Sequence, residues 1–158
     1  MTSNGQPFVL IAEDMESDVE LLRRSFEIGS VCSTRHVVGD GEECVAYLSG
    51  TGIYSNRDEY PLPDLLLLDL KMPRMNGFDV LKWIRSQPYL SPMRVVVLTN
   101  SERTRDINRA YELGANAFLT KPVNSTDFAD AIRAMFEFWM KHSRKPEIKR
   151  PPLRYVRT

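Results

Sequence analysis

Four apolar runs in this sequence each finish on groups able to handle a charged reactant. FVLIAED ends on Glu13 and Asp14, DLLLLD on Asp69, RVVVLTN on Thr99 and Asn100, and AFLTKP carries Lys121. A leucine run seeks a dry interior, so a bare carboxylate at its end needs a use for its charge. Three carboxylates brought to one place repel one another and raise their own pKa values unless a cation sits among them. Oxygen-only ligands at a wet edge suit a hard divalent ion such as Mg2+. A lysine and a threonine hydroxyl beside them complete a site for an anion carried on one carboxylate. Such a constellation performs phosphoryl chemistry by positioning and charge neutralisation.

The elements that must position these groups follow from periodicity. Short β-rich runs at 8–12, 34–38, 64–69, 94–98 and 117–119 alternate with helical spacing at 16–28, 41–49, 77–86, 103–113 and 125–141. This rhythm predicts five βα units in an α/β domain, and runs such as VVVL and LLLL, apolar on both faces, predict a parallel sheet covered on both sides. Asn124 and the Asn76-Gly77 pair mark helix starts, and Gly114 a helix end. In an open parallel sheet, ligands bind beyond the carboxyl ends of the strands, where the polar residues above fall. Residues 50–63, GTGIYSNRDEYPLP, are long for a connection and are either a binding loop or an insertion.

Bulk properties bound the rest. With 42% apolar and 27% charged residues in 158 positions, the chain suits one soluble globular domain without staples or metal for folding. The start has no basic segment and turns acidic quickly, which excludes a signal peptide and predicts a cytoplasmic protein. Cys32 and Cys44 form no CxxC and are expected to be reduced, core-filling thiols. Residues 1–140 carry 14 Lys and Arg against 20 Asp and Glu, whereas residues 141–158 carry 7 against 1. An acidic body therefore ends in a basic, proline-rich tail that cannot bury enough surface to fold alone. Expected boundaries are an extension at 1–6, a domain at 7–141 and a tail at 142–158. His36 sits in an apolar strand and His142 in the tail, neither with partners for a metal. Phe128, Met135, Phe136 and Trp139 form a stripe at helical spacing, whose ordinary meaning is core packing of the last helix, with part of it available to a dimer.

From residue 7 to 140 the chain resembles the receiver domains of two-component response regulators. The resemblance rests on the acidic pair after the first strand, LLLLDLKMPRMNG, LTNS and the Lys-Pro of FLTKPV, in order and spacing. It implies a flavodoxin-like (βα)5 doubly wound sheet of order 2-1-3-4-5. Asp69 would accept a phosphoryl group from a sensor histidine kinase's phosphohistidine. Asp14, Asp69 and the backbone carbonyl of Lys71 would bind Mg2+, with Glu13 acting through a water on that ion. Thr99 and Lys121 would bond the phosphoryl oxygens, the Lys121-Pro122 peptide would be cis, and Phe118 stands at the switch-aromatic position. Lys71, Asn100 and Ser101 stand where the family tunes self-dephosphorylation. Departures from the family pattern are Glu13 for the commoner aspartate, Asn100 for a small residue, and Phe118 for tyrosine.

Two other functions use similar residues. A haloacid-dehalogenase-like phosphatase needs a second acid two residues after its nucleophile, where this chain has Lys71, an ammonium unable to protonate a leaving group. A receiver-like scaffold that is never phosphorylated fits Glu13 and Asn100 but leaves Asp69, Thr99 and Lys121 without a purpose. The expectation is a stand-alone, non-enzymatic receiver without a DNA-binding domain or membrane span. Its partner would be a kinase or phosphotransfer protein, and its length and the 50–63 segment resemble receivers paired with bacterial phytochromes. A second copy would dock through the Thr104–Leu113 helix, strand Ala117–Leu119 and the last helix.

Overall fold

The computed structural model describes residues 5–142. Strands β1 (Phe8–Ala12), β2 (Thr34–Val38), β3 (Leu65–Leu68), β4 (Val95–Thr99) and β5 (Ala117–Thr120) alternate with helices α1 (Glu16–Ile28), α2 (Gly41–Ser49), α3 (Gly77–Ser86), α4 (Thr104–Glu112) and α5 (Ser125–Phe136). All strand pairs are parallel and the order is β2-β1-β3-β4-β5, the flavodoxin-like arrangement expected. Strand order reverses between β1 and β3, which opens the ligand crevice at their carboxyl ends.

The leucine run makes sense once both faces are covered. Successive strand side chains point to opposite faces. Leu66 and Leu68 therefore join Leu10, Val80, Leu81 and Ile84 in one core. Leu65 and Leu67 join Val9, Val96, Phe26 and Phe128 in the other. None of the four leucines is more than 1% exposed. Helices α1 and α5 supply the second core and α2 with α3 the first, so the central strands β1, β3 and β4 are buried on both faces while the edge strands β2 and β5 stay partly open to water.

Local chemistry sets the helix starts. Asp40, Asn76 and Asn124 accept the N–H of the residue three positions on, at 2.8, 3.0 and 2.8 Å, satisfying a donor that has no partner within the helix. Gly114 follows α4 at φ +101, the conformation a glycine adopts at low cost. The last helix differs from expectation. Regular α-helix stops at Phe136 and a wider π-helical turn spans Glu137–His142. Arg94 donates to the carbonyl of Trp139 at 2.6 Å and lies over its ring, which fastens that wider turn to the base of the sheet. Phe128, Met135 and Phe136 are core residues as the stripe predicts, Trp139 is half-buried, and Phe138 faces outward.

Residues 50–63 form a packed strap. Arg57 donates to the carbonyls of Tyr47 and Tyr60 through Nη1 and of Leu48 through Nη2, satisfying acceptors at the end of α2. Tyr54 donates to Glu43 at 2.6 Å, and Tyr47 to the carbonyl of Pro61 at 2.8 Å. The rings of Tyr47, Tyr54 and Tyr60 enclose His36, whose Nε2 is buried without a hydrogen-bond partner, and burial holds its pKa below the usual value. Both cysteines are free, but only Cys44 fills the core; Cys32 lies in the exposed turn before β2, contrary to expectation. The basic tail lies outside the described residues, apart from the backbone of its first residue.

One glycine governs the approach to the site. A Cβ on Gly77 would stand 2.2 Å from the carbonyl oxygen of Asp69, and the Gly77 N–H donates to the Leu70 carbonyl at 3.0 Å. Close approach of the start of α3 to the end of β3 thus requires the bare backbone. Gly77→Ala is expected to cost about 3 kcal/mol of unfolding free energy in urea titration. A loss under about 0.5 kcal/mol, the range of ordinary surface substitutions, would mean that the loop yields freely.

Candidate functional site

Each candidate side chain stands at a strand end, and the hydrogen-bond ladder continues far enough to hold it. Glu13 N–H donates to the Val38 carbonyl at 3.0 Å, Asp69 N–H to Ala12 at 3.1 Å and Lys121 N–H to Thr99 at 2.9 Å. Backbone positions that would be free loop are thereby registered against the neighbouring strand. Glu13, Asp69, Thr99 and Lys121 are all buried, none more than 7% exposed, while Asp14 is exposed.

Carboxylate oxygens of Glu13, Asp14 and Asp69 lie within 4.8 Å of one another. This set is all oxygen, partly wet and multiply anionic, the donor chemistry of a hard divalent cation. Beside it opens a cleft of about 510 Å³ lined by Glu13, Asp14, Glu16, Val19, Glu20 and Val37.

The Lys121 ammonium is the charge that ties the site together. Its Nζ donates to Asp69 Oδ2 at 3.2 Å, to Asp18 Oδ2 at 2.9 Å and to Glu13 Oε2. Burial pulls the lysine's pKa down, but the hydrogen bonds to Glu13 and Asp18 and the charges of Asp69 and Glu13 outweigh it, and the net shift is upward. The Glu13 pKa also moves up, which for a carboxylate disfavours the charged form. Burial lifts its pKa to about 7, against the Lys121 hydrogen bond and with reinforcement from the Asp69 charge.

The Lys121-Pro122 peptide is trans, since the described residues contain no cis peptide bond, and this corrects the expectation. A trans X-Pro bond is the lower-energy isomer, and from it the ammonium already reaches all three carboxylates. Asp18 is the residue that sequence reasoning missed. In the first turn of a helix an aspartate serves the dipole, and nothing in its spacing distinguishes that use from a contact with a lysine over a hundred residues away.

The remaining candidates surround this centre. Lys71 is exposed, and its N–H donates to Asp69 Oδ1 at 3.3 Å. Thr99 Oγ1 accepts the Ser101 N–H at 3.4 Å. The Ser101 hydroxyl donates to Asp106 Oδ2, in the first turn of α4, at 2.6 Å. Asn100 is exposed. Phe118 is half-buried against the small cluster of Leu70, Val97 and Ala110.

Fold and site together define a receiver. Residues 9–133 match the model of the response regulator receiver domain, and the chain belongs to that family. It is 33% identical over 139 residues to the response regulator Rcp1 of Synechocystis sp., covering 88% of this chain and 92% of Rcp1; a solved structure of Rcp1 is a Mn2+-bound form, at a TM-score of 0.78, 32% identity and coverage of 89% of this chain and 99% of that one. A response regulator in red light signaling of R. palustris superposes with a TM-score of 0.85 at 36% identity, covering 89% of this chain and 99% of that one. The phosphorylated cyanobacterial phytochrome response regulator RcpA gives 0.82 at 33% identity, covering 90% and 100%. The chain is thus a receiver of two-component signalling, a family of non-enzymatic signal transducers whose partners are histidine kinases, and its acidic cluster suits a divalent metal. The haloacid-dehalogenase-like reading falls with this membership.

Burial of Glu13 makes stability depend on pH. Its folded-state pKa lies above the unfolded value, so the folded chain holds this proton more tightly. The resulting stabilisation is fully present below about pH 4.5 and is lost as pH rises through about 7. In chelator-treated protein the thermal midpoint is expected to decline between about pH 5 and pH 8, and Glu13→Gln to flatten that decline. Parallel profiles for the two proteins would exclude Glu13 as the titrating group.

Proposed function

We propose that this chain accepts a phosphoryl group on Asp69 from the phosphohistidine of a sensor kinase and converts it into a change at a protein-docking face. The observation that carries the reading is the convergence of Lys121 on Asp69, 3.2 Å apart across 52 positions of sequence, with Thr99 at the adjoining strand end.

Glu13, Asp14 and Asp69, with the Lys71 carbonyl, would hold Mg2+. When bound, the ion supplies positive charge that offsets the crowded carboxylates and the incoming phosphoryl oxygens. The protein's own groups do the positioning. An oxygen of Asp69 forms a bond to phosphorus as the phosphorus–nitrogen bond of the donor breaks, and the electron pair returns to the imidazole. The Lys121 ammonium and the Thr99 hydroxyl donate to phosphoryl oxygens, the lysine exchanging its bond to Asp69 for one to the new group. Hydrolysis of the acyl phosphate is slow, and Lys71, Asn100 and Ser101, flanking Asp69 and Thr99, tune it through the access they leave to water.

Output runs through Thr99 and Phe118. Drawing Thr99 toward the phosphoryl group withdraws its oxygen from Ser101, and the half-buried Phe118 ring follows, a shift between two packings of β4, α4 and β5. This face, with the apolar surface around Phe138, suits a phosphotransfer protein or a second copy of the chain. Similarity to phytochrome and red-light regulators supports a bacteriophytochrome as the kinase, and a cytoplasmic setting for the exchange. Among the described residues no helix is long and apolar enough to cross a membrane.

Acetyl phosphate with Mg2+ should give one added phosphate per chain by mass spectrometry, lost in Asp69→Asn and lost on chelation. An unmodified wild-type protein would favour the unphosphorylated scaffold. Beryllofluoride should likewise move backbone amide resonances from residue 104 to 119, and changes confined to the acidic cluster would refute the switch.

A further inference from the structure

Lys121 has three N–H donors and three carboxylate partners, so every donor is engaged. The partners are not equivalent. Glu13 and Asp69 belong to the oxygen cluster that suits a divalent cation, whereas Asp18 does not. A cation held by that cluster draws on the oxygens of Glu13 and Asp69 and repels the ammonium. Phosphorylation of Asp69 further removes one of its oxygens as a free acceptor. Asp18 is the one partner of Lys121 that neither event calls upon.

We infer that Asp18 is a positioning residue, anchoring the Lys121 ammonium over the acidic cluster so that its other donors meet the phosphoryl group. The inference rests on the phosphoacceptor reading above. Its geometry is favourable. Asp18 Oδ2 lies 2.9 Å from Nζ, with the aspartate side chain 18% and the lysine side chain 2% exposed. Asp18 is fixed from behind by its own N–H, which donates to the Met15 carbonyl at 3.1 Å in the turn that follows Glu13 and Asp14. One turn of backbone thus carries both Glu13 and Asp14, carboxylates for a metal, and Asp18, the lysine's partner outside that cluster. Lysine is a point charge on a flexible four-carbon stem, and without Asp18 its remaining carboxylate partners are Glu13 and Asp69, the two that a cation also draws on.

Charge alone predicts the opposite of positioning. Asp18→Asn removes a negative charge near an anion site, so a purely through-space role makes the anion bind more tightly. A positioning role makes it bind more weakly. Beryllofluoride, titrated calorimetrically at saturating Mg2+, is expected to bind about tenfold more weakly to Asp18→Asn and to Asp18→Ser, as befits loss of a charge-assisted hydrogen bond. Asp18→Glu, which keeps the carboxylate, is expected to recover most of the loss. Circular dichroism melting of each variant verifies its fold, and two substitutions guard against one that does not fold. Affinity equal to or tighter than wild type in the folded variants overturns the inference. Failure of the wild-type protein to bind beryllofluoride overturns instead the phosphoacceptor reading on which it rests.

Discussion

A single ammonium buried among acids is the interaction on which the carboxyl edge of this sheet depends. Lys121 faces Glu13, Asp18 and Asp69 in a place largely closed to water. Buried ions are costly unless paired and fully hydrogen-bonded, and here one cation must serve three anions. Its own donors are all engaged, whereas burial, reinforced by the charge of Asp69, outweighs the lysine's pull on Glu13, which is why Glu13 retains a proton to an unusually high pH. The folded protein consequently presents a notch with an unmet requirement for positive charge. A metal and a switchable lysine are two answers to the same electrostatic deficit.

Such a notch survives only because something else holds the molecule together. Two separate apolar cores grip the central strands from opposite sides, and the site residues hang from the ends of those strands by one further rung of backbone hydrogen bonding. Stability and reactivity are thereby divided along the same strand: the leucines of β3 secure it and the next residue, Asp69, is left with its charge problem. The packing of Gly77 against the Asp69 carbonyl closes the loop behind that residue and limits its freedom to relax away.

Most of this was legible because strand ends in a parallel sheet are signposted by the break from apolar to polar. That break places Glu13, Asp14, Asp69, Thr99 and Lys121 at or just beyond the ends of the strands, while cap chemistry marks the helix starts at Asn76 and Asn124. What escaped was whatever depended on contacts between distant segments. Nothing in the sequence marks Asp18 as the partner of Lys121 or Arg57 of the strap as the cap of α2. Cys32 looked like core because cysteines usually are, and the run to Trp139 like plain α-helix because periodicity cannot foresee a carbonyl captured by Arg94. The trans Lys121-Pro122 bond departs from what resemblance alone implied.

The hydroxyl of Ser101 joins two parts of the molecule that are otherwise separated by an exposed turn. Its backbone N–H rests on Thr99, and its side chain is fastened to Asp106 in α4. Withdrawal of the threonine oxygen therefore frees the backbone of a residue already tied to the helix, so the change is felt at α4 rather than being lost in the intervening loop. Evolution could retune the strength or delay of the outgoing message at position 106, remote from the acidic notch, without disturbing the chemistry that receives it.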